Sequence, residues 1–257
     1  MPSLESFWKK NEKRGLHIFH LERQNNSREA VERFTRARKV TFPQVGESDG
    51  TFGSYDSSGK LPYAWVIGVD GKVIWEGTDG YKSIIDSELK KVRYPGLGKS
   101  DIAKGAAKAA AAFGKGQYGR AFVEAEKQAE GGDDEAKVDA QYIVGRVNAF
   151  LARKRSVFKE AKGNREFTRS ATILQDLAKR FKGAPQGEEL KKELKAFKKD
   201  AAVKAGLKAE AAWPGIQKLL DDEKRSNDKN RVVLEGFIKK HEGTKEAELA
   251  AQILETF

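Results

Sequence analysis

Few residues in this sequence are able to do chemistry, and their spacing argues against most of the reactions they bring to mind. There is no cysteine, so disulfides, thiolate metal sites and thiol nucleophiles are excluded within the chain. His17 and His20 stand three apart in an apolar run. On a strand that spacing points them to opposite faces, so one ion does not take both. His241 falls near the end of a predicted helix, where a cationic ring would compensate the helix dipole. The acidic triplets Asp133-Asp134-Glu135 and Asp221-Asp222-Glu223 lack the glycine-punctuated loop of alternating oxygens that calcium requires, and read as solvated helix caps. Gly96-Leu97-Gly98-Lys99-Ser100 has the end of a phosphate loop but not its beginning, because Arg93 stands where the first glycine belongs. No nucleophile motif accompanies the histidines. No metal, cofactor or catalytic set is therefore expected.

What remains are binding features. The basic runs Lys90-Lys91-Val92-Arg93, Arg153-Lys154-Arg155, Lys191-Lys192 and Lys198-Lys199 offer cations for phosphate. They are spread over several predicted helices, are interleaved with glutamate, and have no aromatic stacking platform beside them. Tyr118 and Trp213 are the candidate partner-binding aromatics, the second next to Pro214, where a helix break is expected.

These residues belong to a chain of 257 residues that is 39% hydrophobic and 34% charged, enough for one large or two small cores under a wet surface. The net charge of +11 favours solubility and would attract nucleic acid, an anionic membrane surface or an acidic protein. No window approaches the roughly 18 apolar residues of a membrane span. Met1-Pro2-Ser3-Leu4 runs into charged residues with no apolar segment of a signal peptide.

The first third alternates helix and strand. Leu4, Phe7 and Trp8 make one face of a helix from Ser3 to Arg14, capped by Ser3 and stopped by Gly15. Leu16 to Leu21 reads as a strand, and Ser27 opens a second helix with Ala30, Val31 and Phe34 as its stripe. Gly46 to Gly59 is a polar loop. Ala64 to Val69 is apolar and rich in β-branched and aromatic residues, as in a strand covered on both faces. Asp70-Gly71 offers two residues of positive φ for a tight hairpin into Lys72–Glu76, and Ser83 to Val92 closes the sheet with Ile84, Ile85 and Leu89. Direct pairing of Leu16–Leu21 with Ala64–Val69 is the favoured arrangement, beside a strand supplied from upstream of Met1 or one added by a neighbouring chain.

The run Leu61-Pro62-Tyr63-Ala64-Trp65-Val66-Ile67, followed by Asp70-Gly71-Lys72-Val73-Ile74-Trp75-Glu76-Gly77, resembles the second half of a thioredoxin-like domain of the TlpA-type and peroxiredoxin-like branches. The resemblance implies that Pro62 is the family's cis-proline, which faces the redox cysteines. It also implies a central strand and a cysteine motif ahead of the helix near Ser3, and an exported location. With the cysteines absent, it implies a truncated, redox-dead α/β domain over residues 1–93.

From Lys99 to Phe257 the composition turns to alanine, lysine and glutamate, and every segment reads as helix. Gly116-Gln117-Tyr118-Gly119-Arg120-Ala121-Phe122, with Ala125, resembles the turn and helix of a tetratricopeptide repeat, whose small residues let two helices approach closely. Leu177-x3-Phe181-x-Gly183 and Phe237-x3-His241-x-Gly243 repeat one spacing, each with phenylalanine fourteen residues after the glycine. The expected architecture is thus an α/β thioredoxin-like N-terminal domain (truncated) and an all-α helical-hairpin, repeat-like domain over residues 99–257. The expected function is a non-catalytic protein-interaction or scaffold module that binds another protein through its helices. Two readings stand beside it: a thiol–disulfide oxidoreductase or peroxiredoxin-like enzyme whose cysteines lie upstream of Met1, and a basic accessory protein for an anionic partner.

Overall fold

The computed structural model describes residues 2–22, 26–46, 63–222 and 226–256, and the chain is mostly helical. It divides into two compact units, Met1–Ala103 with Phe113–Lys115, and Lys104–Ala112 with Gly116–Phe257.

In the first unit, helix α1 (Pro2–Asn11) starts on a proline, which suits a position whose amide has no helical acceptor. Ser3, expected as its cap, lies inside it. A short 3-10 turn ends at Gly15, whose φ of 106° lets its amide donate a hydrogen bond to the Glu12 carbonyl. Strand β1 (His20–Glu22) follows, shorter than the run of apolar residues suggests. Helix α2 (Arg28–Ala37) begins where expected, the Ser27 hydroxyl accepting the Ala30 amide at 3.2 Å.

The strands are arranged differently from expectation. β1 pairs in parallel with β2 (Gln44–Gly46), a strand that the polar sequence around it conceals. β3 (Ala64–Ile67) pairs antiparallel with β4 (Val73–Gly77), and the two pairs form separate sheets. The direct pairing of Leu16–Leu21 with Ala64–Val69 is therefore absent: β1 pairs with β2 and β3 with β4. The hairpin is also wider than two residues. Gly71 alone takes positive φ, at 80°, the Gly71 amide bonds the Gly68 carbonyl at 3.0 Å, and the register shifts after Val66.

Nor is β3 covered on both faces. Val66 is 8% exposed and joins Ile85 and Leu89 of helix α3 (Tyr81–Leu89) in a core lined by Phe7, Leu16, Trp75 and Val92. Ile67 on the other face is 59% exposed. Both α1 and α3 thus pack on the same side of the hairpin. A buried acid ties α1 to the chain before β2. The Glu5 carboxylate accepts the Thr41 amide at 2.8 Å and its hydroxyl at 2.5 Å, beside Lys9 at 3.1 Å.

The second unit is built from helical hairpins. Helix α4 (Ala107–Gly114) supplies Ala109, Ala110 and Ala112 to its core. Then come α5 (Tyr118–Gly131) with α6 (Asp134–Gly163), and α7 (Phe167–Arg180) with α8 (Pro185–Lys199). The long α9 (Ala201–Leu220) precedes the pair α10 (Asn227–Lys240) and α11 (Lys245–Leu254). Contrary to the expected break at Trp213-Pro214, α9 runs through the proline, which removes one backbone hydrogen-bond donor but does not end the helix.

The repeated spacing holds in three dimensions. Gly183 and Gly243 take φ values of 88° and 75° and close the same turn between the helices of two hairpins. Residues sixty apart fill matching buried places: Leu174 with Leu234, Leu177 with Phe237, Phe181 with His241, Ala184 with Thr244, and Leu190 with Ala250. Glycine marks the closest approaches. A Cβ on Gly119 or Gly187 would lie 2.5 or 2.1 Å from the Phe181 carbonyl oxygen.

Candidate functional site

The residues singled out by sequence are dispersed rather than gathered. Pro62 lies outside the described residues. Tyr118 is half-buried at the start of α5, its ring 4.1 Å from that of Phe150 and 6.0 Å from that of Phe181, with the Arg180 guanidinium 5.9 Å from its centroid. Burial raises its phenol above the ordinary range, against the opposing pull of Arg180. Trp213 is also half-buried, stacked 5.3 Å from Phe237 in the core of Ala209, Leu234 and Ala250. Both aromatics are therefore seam-filling residues between helices, each in its own seam.

The histidines resolve in the same way. His20 on β1 spends its Nδ1 on Gln44 of β2, and His17 is exposed. His241 overturns the expected cationic role. It is 9% exposed, stacks 4.6 Å from Phe237, and has its pKa lowered by burial and then by Lys240 and Lys208. Its ring takes the buried place that Phe181 fills in the other hairpin. Asp133 caps α6 through its bond to the Ala136 amide at 2.8 Å, as the acidic triplet suggested. Among the described residues no group of three or more potential ligands could hold a metal ion, and no helix is long and apolar enough to cross a membrane.

A site that no motif announced lies in the helical unit, where the ends of α6 and α7, the middle of α9 and the start of α11 meet. It is an open cleft of about 420 Å³. At its floor the Glu210 carboxylate of α9 receives the amides of Phe167 and Thr168, the latter at 2.7 Å. A carboxylate on two first-turn amides satisfies donors that a helix leaves open and meets the positive end of its dipole. On one wall Arg165 occupies the left-handed position after α6 at φ 56°, and its guanidinium grips both oxygens of Glu248. This pairing raises the Arg165 pKa and lowers that of Glu248, the hydrogen bond being the largest cause in each. Arg169 pairs with Glu166 at 2.7 Å.

The remaining acid differs from the others. Glu246, at the second position of α11, is 7% exposed and lines the cleft. Among the described residues it has no ion pair, and its own backbone amide is its hydrogen-bond donor. Burial pushes its carboxyl up, the neighbouring Glu210 charge adds to this, and Lys245 and Arg165 oppose it from a distance. Sequence reasoning missed this site because its members are separated by up to about eighty residues and none belongs to a recognisable motif.

Comparison with protein-family models, with curated proteins and with solved structures finds no match to this chain.

Proposed function

We propose that this chain is a non-catalytic scaffold, a thioredoxin-like unit without a redox centre joined to a tetratricopeptide-like array, and that it works by binding another protein through its helices. The observation that carries this reading is the sixty-residue recurrence of buried positions across two helical hairpins, from Leu174/Leu234 to Leu190/Ala250. Stacked hairpins of this kind build an extended surface rather than a closed pocket. The outer faces fit this role, with Val138 on α6 64% exposed and Val232 on α10 69% exposed. The absence of cysteine removes the thiol chemistry that the N-terminal resemblance would otherwise bring.

Turnover is the test. The purified chain is expected neither to reduce insulin disulfides with dithiol supplied nor to consume peroxide above the rate of the dithiol alone. Sustained turnover in either assay would overturn the proposal.

A further inference from the structure

We propose that the outward face of α6 between Val138 and Arg153 docks an acidic amphipathic helix of a partner protein, its apolar side on Val138, Ala149 and Ala152 and its carboxylates on Arg146 and Arg153. The inference rests on the scaffold reading and names the face that is used and the chemistry of the partner.

α6 carries apolar residues on two sides. Ile143, Val147 and Phe158 are buried and belong to the core. A surface helix ordinarily turns charged and polar residues to water on the opposite side. Here Val138 is 64% and Tyr142 37% exposed, and Ala149 and Ala152, also exposed, continue that face at helical spacing.

The charge beside this strip has one sign. Arg146 and Arg153 are exposed and stand seven residues apart, about 10 Å along the helix. From Ala140 to Lys159 the helix carries five cations and no acid. Glu135 and Glu160 share the face but lie at its ends, eleven residues before Arg146 and seven after Arg153. Arg155 is turned to Glu193 at 2.9 Å, and Lys154 lies over the Phe150 ring. Among the described residues no acid pairs with Arg153. Its charge acts on the Tyr118 phenol, and Asp176, which acts on the same phenol, is already held by Arg180 at 2.8 Å. An apolar strip flanked by cations seven residues apart is complementary to a helix whose apolar side is flanked by glutamate or aspartate at that spacing. A second copy of this chain does not fit, because it brings the same cations to the contact. Nucleic acid would pair the arginines but leave the apolar strip against phosphate.

The test is fluorescence anisotropy of labelled probes titrated with the full chain at low salt. The probes are a three-heptad helical peptide with leucine on one side flanked by glutamate, its glutamine-for-glutamate counterpart, its serine-for-leucine counterpart, and a short DNA duplex. The acidic leucine peptide is expected to bind about ten-fold more tightly than either counterpart and than the duplex. Arg153→Gln and Val138→Ser are each expected to weaken it about five-fold, whereas Arg231→Gln on the exposed side of α10 leaves it unchanged. Thermal melts confirm that these surface variants are folded. Equal binding of the glutamine or the serine peptide, tighter binding of the duplex, binding unchanged by Arg153→Gln or Val138→Ser, or no binding at all overturns the proposal. The insulin and peroxide assays do not involve α6, so failure of this contact and failure of the scaffold reading are told apart.

Discussion

At the scale of single residues, His241 shows how context sets a role. Its ring is buried against Phe237, and its pKa is lowered by burial and by Lys240 and Lys208. A histidine with a depressed folded pKa leaves stability intact above its unfolded pKa of about 6.5 and loses it as pH falls below that value. His241→Phe, which copies the Phe181 position, is expected to remove this acid-sensitive part. Urea midpoints at pH 5 and pH 8 check it: the difference between wild type and variant should be larger at pH 5. An equal difference at both pH values would contradict the buried neutral ring. Glu5 behaves in the opposite chemical sense. Burial alone would raise its pKa, but the Thr41 hydrogen bonds and Lys9 outweigh that and lower it. Its stabilisation is present above the unfolded carboxyl pKa of about 4.3 and is lost as pH falls through the lower folded value. Glu5→Ala is expected to cost about 1–2 kcal/mol at pH 7, read from denaturant unfolding.

At the scale of elements, glycines and strand faces separate cleanly. Gly187 lies where a Cβ would approach the Phe181 carbonyl to 2.1 Å, so Gly187→Ala is expected to destabilise by about 1–3 kcal/mol despite alanine's better helix propensity. Gly145, inside α6 with nothing within 4 Å, is the contrasting case, and Gly145→Ala is expected to stabilise by about 0.5–1 kcal/mol. Thermal unfolding of the two variants decides it. In β3, Val66→Ala is expected to cost more than Ile67→Ala, because Val66 is 8% and Ile67 59% exposed. The second cost is expected near 0.5 kcal/mol, the first about 1–3 kcal/mol. Reversal of that order in urea unfolding would place Ile67 in a core.

Much of this was legible before the structure. Ser27 as a cap, the stretch from Asp134 as a long helix, and the Gly183/Gly243 spacing all read directly, since capping, helical period and glycine turns are local physics. The apolar run of β3 was legible as a strand but not as a one-sided one, because composition cannot tell which face finds a partner. β2 was hidden because three residues ending in glycine carry too little pattern. Glu210 and Glu246 were invisible in a sequence where charged residues make up 34%. Only the packing of distant helices reveals which carboxylate lost its water.

At the scale of the whole molecule, both units carry exposed apolar side chains. In the first unit Phe19 is 63% and Val69 52% exposed, and in the second Val138 and Val232 are 64% and 69% exposed. Side chains of this kind on a protein of +11 net charge are expected to meet a specific partner rather than to aggregate, since like charge keeps copies apart. The measurement that tests this most directly is photo-cross-linking in cells. A photoreactive phenylalanine is placed at Val138 or Val232, and separately at Lys198 on α8. The scaffold reading predicts one discrete protein adduct at the helical apolar positions and none at Lys198. Adducts of equal strength and pattern at all three positions, or none at any, would contradict it.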